Sequence, residues 1–303
     1  MNRPNDHDHL DVDVDDLDPV AAYDRVARFY PKIAARRKRY LERVDALTIA
    51  RIPPGSRTML DVGAGNGKRA LAIADKCGLD QVVLLEPSAE MIKERVGGEA
   101  PIWAFRAEDL GRDDLHSEER NRQFDVITCL WNVLGHVRPA EKRLHILCQL
   151  ERLLSPHGVL FLDVNHRYNA RSYGLLRTAG RFLYDRLLPA ASNGDVTVGW
   201  NLENVRCRTF GHVFTDREIR RLARDAGFTI GERVAVDYDT GEVKHRSWEG
   251  NLFYVLLRRS SASDSWSASQ TSCTSASAIW LKKGSARTRS ATSSVTGKRV
   301  GGK

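Results

Sequence analysis

The sequence predicts an α/β protein. It is expected to hold a doubly wound sheet of seven strands with the last strand antiparallel, a helical cap before the sheet and an insert after its fifth strand. Three observations predict this. Short apolar, β-type runs alternate with helix-like segments from Thr58 onward, the pattern of a parallel sheet with helices on both faces. The first run ends in a glycine-rich turn, Gly63-x-Gly65-x-Gly67, directly before a helix. The last two runs stand close together with no helix between them, which suits a closing antiparallel hairpin.

The elements follow in order. Residues 1–18 carry seven Asp against Arg3. They read as a disordered acidic segment, too polar to offset the entropy of ordering. His7 and His9 among those aspartates read as part of this flexible segment rather than as a metal site, and no metal is expected. Asp18-Pro19 opens a helical cap over residues 19–54, with apolar residues at helical spacing and a break at Pro31. Strands are expected at Thr58–Val62, Gln81–Leu85, Ile102–Phe105, Phe124–Leu130 and Val159–Val164, with helices at Lys68–Cys77, Ser88–Val96 and Glu141–Leu154 between them. Residues 166–214 interrupt the alternation with a helix over Ala170–Leu188, Pro189, and strand-like runs near Val196–Trp200 and Val205–Phe210. They read as a lid or substrate insert. Thr215 and Glu218 match a capping box that opens a helix over Asp216–Asp225, and Gly227 ends it. Strands near Ile230–Asp237 and Asn251–Arg258 complete a domain spanning residues 55–259. Beyond it, residues 260–303 hold 18 Ser or Thr and seven Lys or Arg against Asp264, and read as a disordered basic tail.

Composition narrows the function class. The chain has 303 residues, 42% of them hydrophobic, enough for a full-sized core. Its net charge of +8 lies mostly on helical stretches such as Lys32–Arg43 and Arg217–Arg224, since the two ends cancel. Solvated helix faces explain that excess more simply than a phosphate-bearing partner. The five cysteines show no C-x-x-C pair, zinc spacing or disulfide framework. No apolar run approaches the ~18–20 residues needed to cross a bilayer, and no apolar leader follows a basic start. A cytoplasmic protein with no membrane partner is expected.

The chemistry concentrates after the first strand, in Met59-Leu-Asp-Val-Gly-Ala-Gly-Asn-Gly-Lys68. Glycines let the backbone take positive φ and approach a ligand, and the following helix N-terminus favours a carboxylate-bearing group. The second strand ends in Glu86, 19 residues after Gly67. A carboxylate there can accept two hydrogen bonds from a ribose diol; the competing reading is an ordinary surface glutamate.

The stretches LDVGAGNGKRA, VVLLEPSAEMI, RAEDL and FDVITCLWNVLGHV, followed by LERLLSPHGVLFLDVN, resemble the successive cofactor motifs of class I S-adenosylmethionine (SAM) dependent methyltransferases. The resemblance covers about 200 residues in the right order and implies a Rossmann-like fold with SAM as cofactor. It implies that Gly63, Ala64, Gly65 and Gly67 contact the methionine part, with Asp61 near its amino group. It further implies that Glu86 holds the ribose, Ala107–Asp109 meet the adenine edge, and Leu130 packs beside the sulfonium or offers its carbonyl. Many members carry Asp where this chain has Arg106, so the adenine amino contact moves to Glu108 or Asp109.

The loop Cys129-Leu-Trp-Asn-Val-Leu-Gly-His136 lacks the Asn/Asp-Pro-Pro-Tyr signature of nucleobase amine methyltransferases. It is similar to the loop of small-molecule members such as glycine N-methyltransferases. That likeness implies a substrate carboxylate held by Asn132 and Arg167; the plainer readings are a backbone-capping asparagine and a surface arginine. His136 is a candidate general base or a histidine that braces its loop. Tyr23 and Tyr30 resemble the N-terminal helix that many members fold over SAM, or they pack against the domain edge. His212 either lines the pocket or serves the structure. The expected function is methyl transfer to a small-molecule acceptor by in-line displacement. The alternative is a macromolecular acceptor, tRNA or protein, but no RNA-binding module is present in the sequence, so nucleic acid is not the expected partner. A dinucleotide oxidoreductase is disfavoured by the early third glycine, and a non-enzymatic SAM-binding scaffold by the intact motifs.

Overall fold

The computed structural model describes residues 16–259 apart from 96, 98, 113–121 and 203–204. The basic tail and all but the end of the acidic N-terminal segment therefore lie outside the described residues. The central sheet is built from β2 (Thr58–Val62), β3 (Gln81–Leu85), β4 (Ile102–Trp103), β5 (Phe124–Cys129), β6 (Leu154–Val164), β9 (Phe228–Val236), β10 (Val243–Lys244) and β11 (Asn251–Arg258). Their order is β10-β9-β11-β6-β5-β2-β3-β4. Strands β2 to β6 pair in parallel, while β11 runs antiparallel to both β6 and β9. The doubly wound sheet with an antiparallel last strand is thus present. It carries an eighth strand, the two-residue β10, which is too short to leave a periodic signal in sequence.

The parallel strands are apolar runs rather than alternating ones because both of their faces are covered. Helices α3 (Lys38–Ile49) and α4 (Lys68–Cys77) lie on one face. Tyr40, Val44 and Ile73 from these helices join Met59, Val126, Phe161 and Phe253 in one buried cluster. Helices α5 (Ala89–Lys93) and α6 (Ala140–Leu153) complete the α/β alternation.

The cap comprises α1 (Pro19–Val26), a 3-10 turn (Ala27–Phe29) and α2 (Tyr30–Arg36), then α3. Asp18 caps α1, accepting from Val20 N at 3.0 Å. Pro31 falls in the first turn of α2, where its missing N–H costs nothing, so the expected break comes just before it.

The insert differs from expectation in two ways. Its helix is divided by Gly174 (φ +84°) into α7 (Ala170–Tyr173) and α8 (Leu175–Leu187). Its strands β7 (Asp195–Leu202) and β8 (Val205–His212) form a separate sheet in which β8 also pairs, in parallel, with β1 (Asp16–Leu17). Asp16 and Leu17, which the sequence assigns to the disordered acidic segment, are therefore strand residues: the free edge of β8 supplies backbone partners that the polar composition does not reveal. After the insert, α9 (Asp216–Asp225) begins as expected, with Thr215 Oγ1 accepting from Glu218 N at 3.1 Å. The capping box is half made, because the Glu218 carboxylate turns away to His212.

Candidate active site

A cleft enclosing about 1080 Å³, part of it open to solvent, lies at the carboxyl ends of β2, β3 and β5, where open α/β sheets bind their ligands. Its floor is the glycine loop. Gly63 N and Ala64 N donate to Leu85 O at 2.8 and 3.1 Å, tying the loop across to β3. Gly63 and Gly65 hold φ of +69° and +58°, a region costly for side-chain-bearing residues. A Cβ on Gly63 would also lie 2.5 Å from Val133 Cγ2, so both conformation and space demand glycine there.

Acidic groups border this loop. Glu86, at the end of β3, is buried; its Oε2 accepts from Gly65 N at 2.7 Å and its Oε1 from Ser88 N at 2.9 Å. Each oxygen keeps lone-pair capacity for a ligand hydroxyl. Burial raises the Glu86 carboxyl above its ordinary value despite those two donors. Asp61, on β2, accepts from Thr128 Oγ1 at 2.5 Å, and burial pushes its carboxyl up to about 6. Arg69, the second residue of α4, lines the same cleft and pairs with Asp45 through Nε. Its buried Nη2 has no partner among the described residues. An unpartnered guanidinium N–H at a helix N-terminus is a docking point for a ligand carboxylate. Arg69 is not among the residues expected from the sequence; its signal there is a basic residue in the first turn of the helix that follows the glycine loop.

The wall comes from the turn after β5 and from the cap. Trp131 and Asn132 both adopt left-handed backbone, with φ of +62° and +61°, and this sharp turn brings Leu130, Trp131 and Val133 to the cleft. Across it, the 3-10 turn Ala107–Asp109 presents Ala107 and Glu108. Asp109 instead faces Arg112 at 3.2 Å, so Glu108 is the one of the two acidic candidates at the cleft. Arg106 also lines the cleft and is bonded to Asp18 at the start of α1. Gly67 caps α4 beneath the loop, where a Cβ would meet Leu84 at 2.7 Å, and is not itself part of the lining.

Tyr23, from α1, and His136, from the 3-10 turn Val133–His136, meet at the cleft with Tyr23 OH 3.2 Å from His136 Nε2. His136 Nδ1 lies 2.9 Å from the Phe210 carbonyl oxygen. That oxygen can only accept, so Nδ1 carries the ring proton and Nε2 accepts from Tyr23. Burial lowers the His136 pKa and raises that of Tyr23, which keeps both groups neutral.

Asn132, Arg167 and His212 lie off the cleft lining, each held in bonds within the fold. The Asn132 carboxamide donates to His212 O at 3.2 Å and accepts from Asn165 N at 2.9 Å. Both of its sides are committed to backbone. Arg167 is buried and makes a two-pronged bond to Asp185, at 2.5 and 2.7 Å; its fork is occupied within the insert. His212 is buried between Asp195 (2.7 Å) and Glu218 (3.1 Å), beside Arg143. It anchors the insert to α9.

Fold and cleft define a class of protein: a doubly wound α/β domain that cradles a ligand between a glycine loop and an acidic strand end. A family profile described as a methyltransferase domain matches residues 25–232, and the chain belongs to that family. No curated protein matches the sequence. Among solved structures, an S-adenosylmethionine-dependent methyltransferase from Clostridium acetobutylicum superposes with a TM-score of 0.52 at 14% identity, over 78% of this chain and 99% of that one. A putative methyltransferase solved with the Haloferax volcanii Trm112 activator gives 0.54 at 16% identity, over 80% and 99%. The sugar N-methyltransferase KedS8 from Streptoalloteichus gives 0.51 at 15%, over 86% and 99%. At these identities the likeness is one of fold.

Proposed function

We propose that the protein transfers a methyl group from SAM to a small-molecule acceptor in this cleft. The observation that carries the reading is the closed constellation around the glycine loop: Glu86 bonded to Gly65 N, Asp61 beside it, and Arg69 Nη2 without a partner among the described residues. These groups fit the cofactor by charge. Arg69 and the α4 N-terminus would hold its carboxylate, Asp61 its ammonium, and Glu86 its ribose diol; Ala107, Glu108 and Leu130 would flank the adenine and the sulfonium. When bound, SAM supplies an already activated methyl group, so the protein's part is largely positioning.

The chain's own contribution to proton transfer rests on His136. Its Nε2 lone pair faces the cleft through Tyr23 OH, with the tautomer held by the Phe210 carbonyl. An acceptor that arrives protonated loses its proton to this pair. The roof made by α1 and the insert, with Tyr23 packed edge-on against Trp200, favours a compact acceptor over a polymer.

The test incubates the protein and labelled SAM separately with a small-metabolite extract, total tRNA and unfolded protein. Label is expected in the metabolites, and methylation confined to a macromolecule would overturn the reading. His136→Ala should lower kcat by about 10²-fold or more, the usual scale for a general base, with S-adenosylhomocysteine affinity unchanged.

A further inference from the structure

Helix α8 is mounted with its apolar side to solvent. At 100° per residue, Thr178, Arg181 and Asp185 fall on one side, and these are the positions of α8 turned to the protein. Asp185 fastens that side to buried Arg167, to Tyr168 OH at 2.7 Å and to Asn193 Nδ2 at 2.9 Å. The rest of its circumference carries Leu175, Leu176, Leu183, Tyr184 and Leu187, with Phe182 at the margin, where its ring packs edge-on against Tyr168; all six are more than half exposed, with Leu176 at 92%. An ordinary surface helix has the reverse arrangement, and a contiguous exposed apolar patch of this kind marks a binding surface.

The charges on that arc say what covers it. Arg177 and Arg186 are exposed, and Arg186 falls between Leu175 and Leu183 within the apolar arc. The single acidic residue of the helix, Asp185, is turned inward to Arg167. Two copies meeting face to face across a two-fold axis would bring these arginines together with no acidic partner from either helix. The tail at residues 260–303 is basic as well. The complementary partner is apolar within and anionic at its rim.

We propose that this face docks the protein on an anionic lipid surface, with α8 lying in the headgroup plane. The leucines enter the acyl boundary there, Tyr184 sits at the headgroup level, and Arg177 and Arg186 extend to lipid phosphates. The length of apolar runs, which gave the expectation of no membrane partner, is blind to which side of a short helix the fold leaves uncovered. No described helix is long and apolar enough to cross a membrane; the attachment is peripheral.

The experiment is sedimentation of the full-length protein with vesicles of phosphatidylcholine alone or mixed with phosphatidylglycerol. Binding is expected to the mixed vesicles, to weaken with added salt, and to be lost in the Leu176→Ser/Leu183→Ser/Leu187→Ser variant. Arg177→Gln/Arg186→Gln should weaken it roughly 30-fold, the combined effect of two cations near an anionic surface. An unchanged thermal shift with S-adenosylhomocysteine verifies that each variant is folded. Lipid binding is read without methyl transfer, so it stands or falls apart from the proposed activity. Failure to bind mixed vesicles, or equal binding by the triple-serine variant, overturns the proposal. So does a wild-type dimer that dissociates in the triple-serine variant, which would make the occupant a second copy. A lower melting temperature in the triple-serine variant would make it a segment of the same chain and likewise overturn the proposal.

Discussion

Replacing Asp61 by asparagine should stabilise the ligand-free protein at neutral and alkaline pH while weakening its hold on SAM. Burial lifts the Asp61 carboxyl from an ordinary 3.8 to about 6. Each pKa unit is worth about 1.4 kcal/mol, so the ionised carboxylate costs the folded chain about 3 kcal/mol once the pH is above 6. The folded-state value is the raised one, so between about pH 4 and 6 the folded chain retains a proton that the unfolded chain has released. The contribution to stability therefore falls as pH rises through that window. The carboxamide of the Asp61→Asn variant carries no such charge and can still accept from Thr128. Urea unfolding at a series of pH values should show the variant more stable by about 2–3 kcal/mol at pH 7–8, with the two curves converging toward pH 4. S-adenosylhomocysteine should narrow the gap, since its ammonium offsets the carboxylate. Parallel stability curves for wild type and variant, with no convergence at low pH, would refute the reasoning.

Two further substitutions separate binding from folding. Glu86→Ala should weaken S-adenosylhomocysteine binding by roughly 1.5–3 kcal/mol, the scale of hydrogen bonds to a charged group, and calorimetry reads this directly; unchanged affinity would remove Glu86 from the ribose. Arg167→Ala should leave half-buried Asp185 without its counter-charge and destabilise the protein by about 1.5–3 kcal/mol, the scale of hydrogen bonds to a charged group, since Tyr168 and Asn193 still donate to it. Limited proteolysis and the melting temperature would show it, and a variant as stable as wild type with impaired acceptor use would restore Arg167 to the substrate.

The order of the elements was legible in the sequence because each depends on local pattern: apolar runs for the buried parallel strands, glycines where φ is positive, and Thr215 where α9 needs a cap. The cleft floor was legible for the same reason, since the glycine loop and Glu86 are adjacent strand ends in any parallel sheet of this order. For Asn132 and Arg167 the sequence leaves a substrate role and a plainer one side by side, because residue type announces hydrogen-bonding capacity but not which partner claims it. Backbone from the ends of β6 and β8 reached Asn132, and Asp185, 18 positions along the chain, reached Arg167. Arg69 went unnoticed for the converse reason, its Nη2 being left over only after folding brings Asp45 to its Nε. The apolar periodicity of α8 was visible, but periodicity is symmetric about the helix axis and does not say which side faces the protein.

Asn132 has a consequence for how this enzyme can be altered. One side chain keys the turn after β5 to the end of β6 and to the last residue of β8, and that turn is left-handed at two consecutive non-glycine positions. The insert is therefore not a removable module. The solvent-facing positions of α8 can change in composition without touching the cleft, but Asp185, Trp200 and the Phe210 carbonyl are tied to the rest of the domain, and the root of the insert must return a carbonyl to the place of His212 O. A graft that omits this carbonyl leaves the carboxamide short of an acceptor and loosens the turn that brings Leu130 and Val133 to the cleft, so its first casualty should be the cleft wall.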